Sequence, residues 1–146
     1  MTVRVTGWLM LLIAAFGSSA MDWSFDDGKV PGRSGSGLRI GRDPEHNQAE
    51  FLACRDGIPD FRQGTIAFWV QPTDWAGTDA KFHMFAAATA GDEVLFVYKY
   101  IGSDQLYFLY GPLSDPTIAA VSVRDWQPGE WHHIGAVYNS ERIKLY

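Results

Sequence analysis

The residue types in this chain that could do chemistry are carboxylates, histidines, one cysteine and an unusual number of aromatics. Glycoside hydrolysis needs two carboxylates about 5 to 9.5 Å apart, and on a strand acids at i and i+2 share a face. Neither Glu-x-Asp nor Glu-x-Glu occurs. The acids stand mostly in turn sequences, and the one Asp-Asp pair, Asp26 and Asp27, runs directly into Gly28. Calcium takes loop carboxylates and backbone carbonyls, which makes Asp26, Asp27, Asp74 and Asp79 the candidates to ligate it, although no EF-hand spacing is present. His132 and His133 are adjacent. On a strand they face opposite ways and cannot ligate one metal together. His46 and His83 have no partner at metal-ligand spacing.

Nucleotide and nucleophile motifs fail on spacing. Gly32 and Gly37 have a P-loop separation, but Leu38-Arg39 follows where Lys-Ser/Thr is required. Gly-x-Ser-x-Gly is absent, so a nucleophile elbow has no support. Cys54 is the single cysteine, which excludes an internal disulfide and a zinc site built on several thiolates. Alternation places it beside Leu52, as a small buried residue. Trp75 is the more informative side chain. It lies in the polar stretch Pro72-Thr73-Asp74-Trp75-Ala76-Gly77-Thr78-Asp79. An exposed Trp there would stack on a sugar ring, whereas a loop Trp folded back would form a lid over a sandwich edge. Tyr110 is the second candidate aromatic contact.

The elements that must position these groups are strands. Of 146 residues 47% are apolar and 20% charged, which are globular values. Net charge is −5, so the basic surface that nucleic acid requires is missing. After Ala20 no stretch holds a helical apolar period for three turns. Short runs rich in β-branched and aromatic residues occur instead, broken by Gly, Pro, Asp and Ser. Strands are expected at Asp22–Phe25, Ala49–Ala53, Thr65–Gln71, Phe82–Ala88, Glu93–Tyr100, Gln105–Tyr110, Ile118–Val123, Trp131–Tyr138 and Arg142–Tyr146. Such a series without crossover helices predicts an all-β antiparallel fold, a two-sheet sandwich or a barrel.

The N-terminus reads as a leader. Arg4 precedes the apolar run Leu9–Phe16, and Ser18 and Ala20 are small residues at −3 and −1. This is a secretory signal cleaved before Met21, and the run is about half the roughly 20 residues needed to cross a bilayer. The mature chain, 21–146, is then one exported domain without disulfide staples.

Gly64-Thr65-Ile66-Ala67-Phe68-Trp69-Val70-Gln71-Pro72 resembles a signature strand of laminin G-like jelly-roll domains, within the concanavalin A-like lectin/glucanase superfamily. Gly129-Glu130-Trp131-His132-His133-Ile134-Gly135-Ala136-Val137-Tyr138 resembles a second, and Arg142-Ile143-Lys144-Leu145-Tyr146 the start of its closing segment. The resemblance implies an antiparallel two-sheet jelly-roll sandwich in which Trp69 and Trp131 are structural. It also implies a domain that is incomplete at the C-terminus, because the family pattern continues past Leu-Tyr. Members are mostly non-catalytic extracellular modules for carbohydrate or protein binding, and many use calcium.

The expectation is a secreted, non-catalytic domain that binds a glycan or an extracellular protein, through loops at one sheet end or a concave sheet face. Trp75 and Tyr110 would be its contacts, and no nucleic acid or membrane-spanning segment would be involved. Two alternatives are a fragment of a polysaccharide-degrading enzyme whose acids lie downstream, and a structural module of a large cell-surface protein.

Overall fold

The computed structural model describes residues 60–146 and 31–33 with their side chains, and short backbone stretches between Ile13 and Ala49. The expected strand Asp22–Phe25, the acids Asp26 and Asp27, His46, Cys54 and residues 1–12 of the expected leader lie outside the described residues.

Seven strands form the described body: β1 (Gly64–Val70), β2 (His83–Ala90), β3 (Glu93–Lys99), β4 (Gln105–Pro112), β5 (Thr117–Ser122), β6 (His132–Tyr138) and β7 (Ile143–Leu145). Each falls within two residues of its expected position. All pair antiparallel, in two sheets. One sheet runs β7-β6-β1, and the backbone of Ile13–Phe16 lies beside β1 on its far side. The other is the meander β5-β4-β3-β2. The two sheets are not closed into a barrel; they form a sandwich.

Alternation explains the packing. Ile66, Phe68 and Val70 of β1 point inward with Ile134, Ala136 and Tyr138 of β6. They meet Phe85, Leu95, Val97, Leu106 and Phe108 from the opposite sheet. Burying each large apolar side chain contributes about 1.5–3 kcal/mol. Gly64 lies opposite Tyr138 in the ladder, and a Cβ there would come within 2.8 Å of the tyrosine ring. The glycine therefore leaves the space that the buried ring fills.

β2 departs from simple alternation. Its register against β3 shifts between Met84 and Ala86, a β-bulge that inserts Phe85. His83 and Phe85 face the core before the bulge, and Ala86 and Ala88 after it. The hairpin into β3 is a two-residue turn, Gly91-Asp92, in which Gly91 takes φ 63°. Positive φ is what such tight hairpins require.

Two connections cross between the sheets at the same end of the sandwich, Gln71–Phe82 and Val123–Trp131. They are hydrogen-bonded to one another: Gly77 N–H donates to the Trp126 carbonyl (2.9 Å), Gly129 N–H to that of Pro72 (2.7 Å), and Gln71 Nε2 to that of Gly129 (2.8 Å). A Cβ at Gly77 would lie 1.6 Å from the Val123 carbonyl oxygen, so only glycine permits this approach.

Candidate functional site

The crossing loops carry Trp75 inward. Expected as an exposed anchor, it is instead 3% exposed, a core residue closing the sandwich end. Its ring stacks on His83 at 4.0 Å and packs near Phe85 and Trp126, at 6.0 and 6.2 Å. Trp126 in turn stacks on His132 at 4.1 Å. The loop folds back because its polar backbone finds partners in the second crossing loop, which leaves the indole free to fill the core. Trp75 is thus a lid over the sandwich edge and presents no ring face to solvent.

Beneath this lid lies a buried charge cluster. Lys99 is fully buried on the inner face of β3, and its Nζ donates to an Asp79 carboxylate oxygen (2.8 Å) and to the Asp79 carbonyl (2.6 Å). His83 Nε2 donates to the same carboxylate at 2.9 Å. Burial pushes Asp79 upward, but the bonds from Lys99 and His83 together hold it below the usual carboxylate range. Burial pushes His83 below its ordinary value, outweighing the upward pull of Asp79.

This arrangement does not suit calcium. The Asp79 carboxylate is taken by an ammonium and an imidazole, and Asp74 stands exposed in the loop. Among the described residues no group of three or more His, Cys, Asp or Glu clusters at metal-ligand distance.

The opposite face of the same strands carries a surface of different character. Because side chains alternate, the residues flanking buried Lys99 point away from the core: Tyr98 of β3 on one side and Tyr100, just past the strand and 55% exposed, on the other. Register sets Tyr107 of β4 directly beside Tyr98, at 5.5 Å between ring centroids and 22° between planes. Phe82, just before β2, lies on the other side of Tyr98 at 5.6 Å and 27°. Phe82, Tyr98 and Tyr107 therefore form a row of near-parallel rings across the meander, with Tyr100 edge-on to Phe82 at 6.4 Å.

Hydrogen-bonding groups stand at the same end, with the Ser103 hydroxyl 3.4 Å from that of Tyr107 and Gln105 Nε2 donating to the Asp104 carboxylate at 3.1 Å. Burial, and then the neighbouring Tyr107 and Tyr100, raise the Tyr98 hydroxyl above its ordinary value, so it is a neutral donor at physiological pH. The other outward side chains of the meander, among them Met84, Ala87, Phe96, Leu109 and Ile118, include no charged group.

Tyr110 lies elsewhere. It sits toward the Glu93 end of the meander, where it pairs with Leu95, whereas Trp75 covers the Lys99 end. Its ring packs on Tyr138 at 4.8 Å and its hydroxyl donates to the Phe61 carbonyl. It lines an open depression of about 720 Å³ with Phe61, Arg62, Gln63, Glu93 and Ser140. The two expected aromatic contacts are therefore not brought together.

Sequence reasoning missed the row of Phe82, Tyr98, Tyr100 and Tyr107. The available signal was Tyr98-Lys99-Tyr100, in which one face must take the lysine and the other both tyrosines. Which face was buried could not be read locally.

The described strands thus define a two-sheet antiparallel sandwich with a row of aromatic rings on the outer face of one sheet. Consistent with this, residues 48–146 match the family model Laminin_G_3, described as the concanavalin A-like lectin/glucanases superfamily. The chain belongs to that family, whose laminin G-like domains are typically non-catalytic, extracellular binding modules. No curated protein and no solved structure matches the chain significantly. No helix among the described residues is long and apolar enough to cross a membrane.

Proposed function

We propose that the chain is a secreted, non-catalytic module that binds a glycan on the outer face of the β2–β5 meander, exported by an N-terminal signal cleaved after Ala20. The carrying observation is the row of Phe82, Tyr98 and Tyr107, rings spaced 5.5–5.6 Å apart and nearly parallel. Aromatic side chains offer apolar surface to the C–H faces of a sugar, while tyrosine hydroxyls supply polar handles. The Ser103 hydroxyl, which already accepts the Gln105 backbone N–H, stands 3.4 Å from the Tyr107 hydroxyl as a further polar group. The aromatic row itself carries no charge, and the nearest charged pair, Asp104 with Arg124, stands beside Gln105 at its end, so a neutral glycan suits the row.

The Asp79–Lys99–His83 cluster supports this site from below. It fixes the segment from Asp79 to His83, and Phe82 takes its place in the row from that segment.

The test is a glycan array and polysaccharide pull-down with the exported protein and its Tyr98→Ala and Tyr107→Ala variants. Both substitutions should abolish capture while leaving the circular dichroism spectrum and melting temperature close to wild type. Capture that survives both substitutions would place the ligand elsewhere. A parallel arm in EDTA asks for calcium: retained binding is expected, and loss would point to acids outside the aromatic row. Failure to bind any glycan, with capture of an extracellular protein through the same tyrosines, would move the reading to protein adhesion.

A further inference from the structure

The described histidines each pack on a tryptophan: His83 on Trp75, His132 on Trp126 and His133 on Trp69, with centroids 4.0, 4.1 and 4.9 Å apart. The first two pairs meet, because Trp75 and Trp126 lie 6.2 Å from each other. His83, Trp75, Trp126 and His132 therefore form one chain of rings across the sandwich end. Each sheet supplies a histidine, at the start of β2 and of β6, and each crossing connection supplies a tryptophan. Closing this end leaves polar atoms unserved: among the described residues, Trp75 Nε1 and His132 Nε2 are buried without a hydrogen-bond partner.

The charge balance of the end depends on His83. Among the described residues, the charged groups facing it are Asp79 and Lys81 from the connection before it and Lys99 from β3. His83 lies opposite Lys99 in the β2–β3 ladder, and both reach the one Asp79 carboxylate, at 2.9 and 2.8 Å. With a neutral imidazole the buried cluster balances, one ammonium against one carboxylate. A proton on His83 sets two cations opposite each other on neighbouring strands against that single anion, and like charges so placed repel. Lys81 adds to the repulsion. His132 differs, because Glu130 stands 3.8 Å from its Nε2 to meet a positive charge.

We propose that this end is an acid-released latch on the aromatic row. Protonation of His83 parts the Asp79–His83 segment from Lys99 and carries Phe82 off the row, so bound glycan is let go as pH falls. The release rests on the glycan reading above; the latch itself does not. Burial already holds His83 below its ordinary value, so the closed end takes the proton less readily than an open one. Opening is therefore favoured progressively below pH 6.5, by up to about thirtyfold at pH 5 if only the open form is protonated. Apparent affinity falls with the closed fraction.

Hydrogen exchange of the exported protein at pH 7.5 and 5, corrected for the intrinsic pH dependence of exchange, tests the latch without any ligand. The reporters are the Gly77 and Gly129 amides, which tie the two crossing connections together. Their opening should rise by up to about thirtyfold at pH 5, while amides of the β3–β4 ladder stay protected. His83→Gln keeps a donor for Asp79 and takes no proton, and Lys99→Met leaves the Asp79 carboxylate to protonated His83 alone. Acid opening should vanish in both, and either serves if the other misfolds. Acid opening that is absent in wild type, or that persists in either folded variant, overturns the proposal. Capture of neutral glycans on the array should weaken at pH 5 in wild type and hold steady with pH in His83→Gln. Acid opening with no glycan captured at either pH would refute the glycan reading and bear out the latch. Acid opening with capture undiminished at pH 5 would overturn the release.

Discussion

Removing the Asp79 side chain should reveal how much of the fold hangs on one buried ion pair. Lys99 is fully buried on β3, and its ammonium has the Asp79 carboxylate at 2.8 Å and the Asp79 carbonyl at 2.6 Å. Asp79→Ala leaves the charge buried with the carbonyl alone. Breaking a buried pair by deleting one partner typically costs 3–5 kcal/mol, because an uncompensated charge remains. The surviving carbonyl bond places the expected loss at the lower end, about 3 kcal/mol. The converse, Lys99→Met, should cost less, about 1–2 kcal/mol, since the Asp79 side chain is 16% exposed and keeps His83 as a donor. The double variant removes both charges, so the loss should fall short of the sum by about 2 kcal/mol. Urea denaturation followed by tryptophan fluorescence is the assay, because Trp75 stacks on His83 at the cluster and reports its opening. An Asp79→Ala loss below about 1 kcal/mol, or strictly additive single variants, would refute the reasoning: Lys99 would then be reaching solvent by another path.

Three further outcomes follow from the same geometry. Trp75→Ala should cost about 3–5 kcal/mol in urea unfolding, the range for a large core aromatic, yet leave glycan affinity unchanged wherever the variant is folded; a selective loss of affinity would restore Trp75 as a ligand contact. Gly77→Ala should destabilise by about 3 kcal/mol, because its Cβ would meet a backbone carbonyl that cannot turn aside; a melting temperature within a degree of wild type would show that the crossing loops are not locked together.

Stability should fall as pH is lowered, in two stages. His83 and His132 both have folded pKa values below 6.5, chiefly through burial. The unfolded chain then takes up protons first, so stability begins to drop below pH 6.5. Asp79, whose folded value is below 3.8, adds a further loss as pH falls below 3.8. Melting curves from pH 8 to 3 check this, and a Tm that rises between pH 7 and 5 would contradict it.

Much of the fold was legible because a strand writes its burial directly into alternation. Ile66, Phe68 and Val70 name the inner face of β1 without reference to anything distant, and the structure buries all three. Turn residues marked the gaps with equal clarity. The bulge at Phe85 was not legible, because its cause is the fit of β2 to β3 and to the core beyond. The candidate site suffered more. Trp75 in a polar loop is equally consistent with a sugar anchor and a core lid, and only the hydrogen bonds between two loops some fifty residues apart in sequence select the lid.

Sequence by itself determined the class of fold, the family and the alternation of each strand, since these depend on neighbours one or two residues away. Tertiary structure alone decided which aromatics meet. Tyr98 and Tyr107 become neighbours through the register of β3 on β4, and Phe82 joins them because Lys99, a residue that would ordinarily seek water, is drawn inward by Asp79. Side chains from separate strands share a surface only once register and sheet packing are set, and those are properties of the whole core.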